Sequence, residues 1–354
     1  MPMRGVILPF CVSTGLSIAV FAQRPQEPRP PYPYSARDVT FDNKTAGIRL
    51  AGTLTLPPGK GPFPAVALIS GSGRQNRDDA IFGHKPFLVV SDYLTRRGIV
   101  VLRYDDRGEG DSQGDYDAAT TADLSWDAEA AFEYLKTRPE VETGRIGLAG
   151  HSEGGAIAAM VAARNPRVAF VISLAGGAVP GGQILHDQGL AIRRAQGASQ
   201  ADLDAQDRRH GPIMAAFGAP DPARALREIF GDSPGAEAQI KAMLGPWMRF
   251  FITYDPSTAI AKVKCPVLAM NGERDLQVIP DPNLNAWEAA LRKAGNKDFT
   301  VRRLPGLNHL FQTCEDGLPE KYGEIEETMS PIALDTMASW ILKRFARGSP
   351  MEDR

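Results

Sequence analysis

The stretch Gly150-His151-Ser152-Glu153-Gly154-Gly155 decides the fold, because it places one serine between glycines where a strand pattern gives way to a helix pattern. The short, mostly apolar run 145–149 before it is typical of a buried strand. The alanine-rich run 156–165 after it is typical of a helix that stops before Pro166. A chain that turns so sharply holds its central residue in a strained conformation, often with positive φ. Glycines two positions on either side of the serine leave room for that turn.

This arrangement predicts that Ser152 is a nucleophile. The turn lifts the hydroxyl clear of the sheet and sets it at the N-terminus of the next helix, where free amides favour developing negative charge. The backbone N–H of Glu153 would then point at a substrate oxyanion. The alternative is a glycine-rich turn that only packs a helix closely on a strand. A reactive serine also requires a base, an orienting carboxylate and a second oxyanion donor elsewhere in the chain.

The composition limits the class of protein. The chain has 354 residues, 43% of them hydrophobic, and a formal net charge of -2. A chain of this length can bury one large core, or a core with an inserted cap. The near-balanced charge and the scattered arginines predict that nucleic acid is not a partner.

The N-terminus has the pattern of a secretion signal. Arg4 precedes the apolar stretch 6–21, and Val20-Phe21-Ala22 at its end has the small-residue pattern of a cleavage site. We therefore expect residues 1–22 to be a cleaved signal peptide, which implies a secreted or periplasmic protein. We expect no stable membrane span after cleavage, because the stretch is shorter than the roughly 20 residues that a span needs. The prolines that follow predict an extended, solvated linker over residues 23–37.

Cysteine usage predicts no disulfide framework. Of three cysteines, only Cys265 and Cys314 lie beyond the predicted cleavage site. Cys265 should begin a strand, whereas Cys314 should follow a loop at the opposite end of the sheet. Bonded cysteines need Cα atoms within about 7 Å, so we expect two free thiols.

Strand and helix patterns alternate through residues 38–177. This alternation predicts a mostly parallel sheet with helices on both faces, preceded by an antiparallel pair of half-buried strands at 38–41 and 48–56. The predicted buried strands are 65–69, 99–104, 145–149 and 168–174, and the predicted helices are 86–97, 121–138 and 156–165.

The alternation breaks after Gly176, and residues 178–261 contain only helix-compatible segments. An insertion at this point would sit over the serine as a helical cap, between two parts of a catalytic domain at 38–177 and 262–347. A stripe of large apolar side chains in it is a candidate lining for an acyl or aryl pocket, although such a stripe more often forms the core of the cap. Its members are Met243, Trp247, Met248, Phe250 and Phe251.

An acid follows the next predicted strand, 266–271, in the stretch Gly272-Glu273-Arg274-Asp275. The position just past a strand's C-terminal end is where a carboxylate that orients the base belongs. We predict Asp275 for this role, with Glu273 as the alternative. The simpler interpretation is an exposed acid in a turn.

His309 is the predicted base. It lies just beyond the last predicted strand, 299–304, and of five histidines it alone follows both Ser152 and Asp275 in the chain. His151 adjoins the serine but should leave the strand in the opposite direction. A solvated loop histidine is the alternative for His309, but its position favours the catalytic role.

The turn 105–112 carries several charges, in the order Asp-Asp-Arg-Gly-Glu-Gly-Asp-Ser. We expect its carboxylates and guanidinium to hold one another and the loop. A metal or glycosidase site is the alternative. It is disfavoured because adjacent acids on a turn point in different directions and no histidine lies nearby.

These motifs resemble the α/β-hydrolase superfamily across residues 65–345. The segments that match are 150–154, 106–112, 272–278 and 305–311. More narrowly, the run 70–78, Ser-Gly-Ser-Gly-Arg-Gln-Asn-Arg-Asp, is similar to that of bacterial carboxylesterases of the EstD group, which are often grouped with dienelactone-hydrolase-like and prolyl-oligopeptidase-like proteins. The resemblance implies an α/β-hydrolase fold in which this loop supplies the second oxyanion amide, by position that of Ser72, with Gly73 as the neighbouring possibility. The alternative is a glycine-rich turn capped by polar side chains.

The function that follows is a serine carboxylesterase for small carboxylic esters, working through an acyl-enzyme without a metal or organic cofactor. An acyltransferase, a thioesterase or a peptidase would use the same three residues. A binding protein without catalytic activity on the same scaffold is a more remote alternative, because no member of the triad is missing.

Overall fold

The computed structural model describes residues 24–345, so the predicted signal peptide at 1–22 lies outside the described residues. Eight strands form one sheet in the order β1-β2-β4-β3-β5-β6-β7-β8. The strands are β1 (Ser35–Asn43), β2 (Ile48–Leu56), β3 (Phe63–Ile69), β4 (Val100–Tyr104), β5 (Val141–His151), β6 (Phe170–Leu174), β7 (Val267–Gly272) and β8 (Phe299–Leu304). β1 and β2 pair antiparallel, β2 also runs antiparallel to β4, and every other pairing is parallel.

Helices cover both faces of this sheet, as the alternating pattern predicts. They are α1 (Pro86–Thr95), α2 (Thr121–Lys136), α3 (Glu153–Arg164), α4 (Gly181–Ala195), α5 (Gln200–Phe217), α6 (Pro222–Phe230), α7 (Pro234–Met243), α8 (Pro246–Thr253), α9 (Ser257–Ile260), α10 (Pro280–Lys293) and α11 (Pro331–Phe345). A 3-10 turn spans Pro319–Glu324. The predicted α/β-hydrolase architecture is therefore confirmed.

Two apolar layers lie on opposite sides of the sheet. One includes Phe132 of α2, Ile157 of α3 and Trp287 of α10. The other includes Leu94 of α1 and Ile341 of α11. The central strands are buried on both faces, which is why they appear in the sequence as continuous apolar runs.

Helices α4–α9 lie between β6 and β7, within the interval where the sequence predicts a cap. They have a separate apolar cluster, centred on the buried side chains of Leu226, Ile240 and Ile252. None of the helices within residues 24–345 combines the length and apolar character that crossing a bilayer requires. Cys265 and Cys314 are both free thiols.

The proline-rich segment packs on the domain, so the prediction that residues 23–37 form a solvated linker is wrong for the described part. The Arg24 guanidinium donates hydrogen bonds to backbone carbonyls at Gly83, Gly323 and Ile325. The Gln26 side chain donates to one backbone carbonyl and accepts from two backbone N–H groups at 328–329, and β1 already begins at Ser35. Prolines disfavour helix and sheet in this segment, but they do not prevent the neighbouring polar side chains from forming hydrogen bonds with backbone groups of other loops.

Candidate active site

Ser152 occupies the junction of β5 and α3 with φ 52° and ψ −118°, the positive φ that the glycine spacing predicts. Its N–H donates to the Leu174 carbonyl at 2.8 Å, which fixes the turn to the end of β6. A Cβ at Gly150 would lie 1.9 Å from the Gly154 carbonyl oxygen, and a Cβ at Gly154 would lie 2.3 Å from the Ile69 carbonyl oxygen. Both positions therefore require glycine, because backbone cannot retreat from so short a contact.

Parallel pairing brings three strand ends to one edge of the sheet. β5, β6, β7 and β8 are consecutive parallel neighbours, so the residues that follow their C-terminal ends share that edge. Ser152 follows β5, Asp275 follows β7 and His309 follows β8. The three predicted triad residues thus lie on the same side of the fold.

Asp275 and His309 form a buried hydrogen-bonded pair. His309 Nδ1 lies 2.7 Å from Asp275 Oδ2, and the two residues are 4% and 1% exposed. Asp275 Oδ1 accepts the N–H groups of Gln277 and Val278 at 2.8 and 2.9 Å. If Nδ1 carries the proton toward the carboxylate, Nε2 is left as the acceptor, which is the tautomer that a general base needs. The alternative acid, Glu273, is exposed and accepts the Gly306 N–H at 3.0 Å.

His309 also lies beside the residue that precedes the serine. Its ring centroid is 4.8 Å from that of His151. No hydrogen bond joins Ser152 to His309 among the described residues, and in free enzymes such bonds often tighten only when substrate binds. The structure therefore places the base against the residue that precedes the serine.

The predicted oxyanion loop reaches the serine. A Cβ at Gly71 would lie 3.2 Å from Ser152 Cβ, so the backbone of the loop approaches the Ser152 side chain closely just before Ser72. Glu153 is the first residue of α3, and a helix provides no intrahelical partner for the N–H at that position. The two predicted donors therefore belong to segments that adjoin Ser152. Gly73, the alternative donor, has φ 95°.

The charged turn 105–112 holds this loop, but not through pairs within the turn. Asp106 accepts the Ser70 hydroxyl and the Gln75 N–H, each at 2.8 Å. Asp105 pairs with Arg77 of the loop. Arg107 pairs at 2.7 Å with Asp127 of α2.

The expectation that the acids and the guanidinium of this turn hold one another is thus wrong. Their partners come from the loop and from α2, which pack on the turn from two sides and are remote from it in sequence. Among residues 24–345, no cluster of three or more histidine, cysteine or acidic side chains has the arrangement of a metal site.

A second histidine and an acid lie beside the predicted base: sequence reasoning missed Asp79, and it expected the His151 side chain to leave the strand in the opposite direction. His151 Nε2 lies 3.0 Å from the His309 carbonyl oxygen, and its Nδ1 lies 3.6 Å from Asp79 Oδ2. Burial raises the pKa of Asp79 to about 7, although the charge of His309 opposes that rise. Burial lowers the pKa of His151 to about 3. His151 is therefore a neutral donor that supports the loop carrying His309.

The apolar stripe predicted for the cap divides into three locations. Met243 and Met248 belong to the cluster inside the cap, and Phe250 packs against the main core. The rings of Trp247 and Phe251 stack at 5.2 Å, and the Trp247 indole N–H donates to the carboxylate of Glu153. Only this pair is linked to the residue that follows the serine.

The sheet, the strained serine at a strand–helix junction and the histidine–aspartate pair at the same edge define a serine hydrolase of the α/β-hydrolase fold. Residues 46–304 match the family described as X-Pro dipeptidyl-peptidase (S15 family), and the chain belongs to that family.

Individual relatives agree with this assignment. The chain is 26% identical over 325 residues to Esterase EstD of Thermotoga maritima, an alignment that covers 88% of this chain and 69% of that protein. The predicted resemblance to the EstD group is thereby confirmed.

Two solved structures show the same fold. One is the α/β hydrolase GrgF from Penicillium sp. sh18, with a TM-score of 0.57 and 20% identity, covering 88% of this chain and 99% of that one. The other is the Pyrococcus furiosus esterase Pf2001, with a TM-score of 0.54 and 15% identity, covering 88% of this chain and 92% of that one.

Proposed function

We propose that the protein is a carboxylesterase that hydrolyses small carboxylic esters, with Ser152 as nucleophile, His309 as base and Asp275 as the orienting acid. The observation that carries the proposal is the buried 2.7 Å contact between His309 Nδ1 and Asp275, at the same edge of the sheet as a serine with φ 52°. The similarity to Esterase EstD supports an ester as the substrate.

In the first half of the reaction, Ser152 Oγ attacks the ester carbonyl while His309 Nε2 takes the hydroxyl proton. Asp275 stabilises the imidazolium that forms. The backbone N–H groups of Glu153 and Ser72 donate to the oxyanion of the tetrahedral intermediate. The bond to the leaving alcohol then breaks, and His309 returns the proton to the departing oxygen.

In the second half, water attacks the acyl-enzyme and His309 takes its proton. Collapse of the second tetrahedral intermediate breaks the bond to Ser152 Oγ, which recovers the proton from His309 and releases the carboxylic acid. None of these steps calls for a metal or an organic cofactor.

The same residues would serve a peptidase, an acyltransferase or a thioesterase, and the family name makes the peptidase the main competitor. A dipeptidyl-peptidase must recognise the free amino terminus of its substrate, which favours an unoccupied acid near the serine. The adjacent acid, Glu153, is buried and already accepts hydrogen bonds from Thr121 and Trp247. We therefore favour an uncharged ester over a peptide with a free amine.

The test is Ser152→Ala, compared with Ser257→Ala in α9 as a matched serine control. We expect Ser152→Ala to abolish turnover of p-nitrophenyl esters and labelling by a fluorophosphonate, while the control retains both. Persistence of either in Ser152→Ala would place the nucleophile elsewhere. Products formed with competing alcohols, thiols and amines separate the four activities, since water must be the main acceptor for an esterase.

We also propose that the enzyme acts outside the cytoplasm, in the periplasm or after secretion. The support is the Arg4 and 6–21 pattern, which ends at Ala22. N-terminal sequencing of exported protein should begin at Gln23, and exported protein that begins at Met1 would contradict cleavage.

A further inference from the structure

The side chain of Glu153 has contacts that the esterase mechanism does not use. It is 4% exposed, and its carboxylate lies where three segments meet. Thr121, at the start of α2, donates its hydroxyl to Oε1 at 2.6 Å. Trp247 of α8 donates its indole N–H at 2.9 Å to Oε1 and 3.0 Å to Oε2. The Ser72 side chain, in the predicted oxyanion loop, also acts on the Glu153 carboxyl and lowers its pKa.

Hydrogen bonds from these donors offset the unfavourable free energy of burying the Glu153 carboxyl group. Burial raises the pKa of Glu153, and the hydrogen bonds from Thr121 and Trp247, together with Ser72, oppose that rise. A buried carboxylate that loses one of its donors must find another or move toward water. The indole is the donor that comes from the cap, so it links the position of the cap to the position of Glu153.

Trp247 is itself held in place. Its ring stacks on Phe251 at 5.2 Å with 20° between the planes. The Phe251 carbonyl packs on the first turn of α4 so closely that a Cβ at Gly181 would lie 2.0 Å from its oxygen. The indole therefore contacts Glu153 from a supported position and not from a freely moving side chain.

We propose that Trp247 is a positioning residue, which fixes the cap to the carboxylate of Glu153 and so holds the backbone N–H of that residue toward the oxyanion. This inference rests on the proposed esterase function. The amide and the carboxylate of Glu153 belong to one residue, the one that follows the nucleophile, so displacement of the carboxylate also disturbs the oxyanion donor. Loss of the indole N–H should therefore weaken stabilisation of the transition state.

The first experiment measures hydrolysis of p-nitrophenyl acetate by Trp247→Phe, which keeps an aromatic ring but loses the N–H. Loss of a hydrogen bond to a charged group should lower kcat for the acetate about tenfold or more. KM should change little, because the lost donor acts on the transition state through the oxyanion N–H and not on substrate binding. The control is Trp126→Phe, an exposed indole that lies on Arg164. An unchanged kcat in Trp247→Phe would overturn the proposal.

A double-mutant cycle with Glu153→Gln tests the contact itself and supplies a second variant if Trp247→Phe folds poorly. If the two residues act through one contact, the double variant should be little worse than the more damaged single variant. If the fold losses in kcat of the two single variants multiply in the double variant, Trp247 and Glu153 act separately and the proposal is overturned.

Amide hydrogen exchange of α8 gives a readout that does not depend on ester turnover. We expect faster exchange across Pro246–Thr253 in both single variants than in the wild type and in Trp126→Phe. If the variants exchange faster than the wild type but the wild type hydrolyses no ester, the contact between Trp247 and Glu153 is supported and the esterase function is contradicted. Unchanged exchange in both variants would contradict the proposed role of the contact between Trp247 and Glu153, whatever the esterase activity.

Discussion

His309 Nδ1 and Asp275 Oδ2 lie 2.7 Å apart although 34 residues separate them in the chain. The other carboxylate oxygen is occupied by two backbone N–H groups of the turn at 277–278. The carboxylate therefore cannot rotate away from the imidazole without losing three hydrogen bonds. The orientation of the ring is set before substrate arrives, so binding need not supply the free energy to arrange it.

Asp275→Asn should lower kcat by about 10³–10⁴, with a small effect on KM, because the amide cannot stabilise the imidazolium and can favour the wrong tautomer. The measurement is steady-state hydrolysis of a p-nitrophenyl ester. Glu273→Gln is the matched control, since Glu273 is an exposed acid two residues away. Equal losses in the two variants would contradict the assignment of Asp275.

Gly150→Ala should prevent folding or greatly lower the melting temperature, because its Cβ would lie 1.9 Å from backbone of the following helix. Gly144→Ala is the control in the same strand, where a Cβ has nothing within 4 Å. We expect its free energy of unfolding to change by less than about 1 kcal/mol. Circular dichroism melts of both variants check the prediction, and a well-folded Gly150→Ala protein would refute it.

Asp106→Asn should lower kcat about tenfold by loosening the oxyanion loop. An asparagine oxygen can accept from Ser70 or from the Gln75 N–H, but its NH₂ group cannot accept from the other. Asp111→Asn, an exposed change in the same turn, is the control. Burial raises the pKa of Asp106 to about 8, so the variant should also alter how activity depends on pH near that value. Identical profiles for Asp106→Asn and Asp111→Asn would argue against this role.

Asp79 should make the folded state less stable as pH rises. Its pKa is raised from 3.8 to about 7 in the fold, so the folded state holds a proton that the unfolded chain has lost. The stabilising effect of that bound proton is complete below about pH 4 and is lost as pH approaches 7. The titratable groups that interact with Asp79 are His151, at 3.6 Å, His309 and Asp106.

Urea unfolding of wild type and Asp79→Asn at about pH 5 and pH 8 isolates this effect, because asparagine does not titrate. Between these pH values, the wild type should lose more of its free energy of unfolding than the variant does. The lowered pKa of His151 acts at lower pH and in the opposite sense, with stability lost as pH falls from 6.5 toward 3, and both proteins retain that residue. Parallel changes in the two proteins would mean that Asp79 is not held protonated.

Features that depend on near neighbours in the chain were readable from the sequence. The apolar runs of the central strands predict burial on both faces, and that is how they lie. The glycine spacing around Ser152 predicts positive φ, and the observed value is 52°. In each case a few consecutive residues determine the conformation, because backbone sterics and the pattern of apolar side chains act over short distances.

Contacts between segments that are distant in the sequence were determined only by the tertiary structure. Arg107 pairs with Asp127 and not within its own turn, and Arg24 binds carbonyls about 300 residues away. The carboxylate of Glu153 joins α2 to the cap, although nothing in the sequence near it indicates Trp247. A buried polar group must take whichever partner the packing brings within about 3 Å, and local sequence carries no record of that partner.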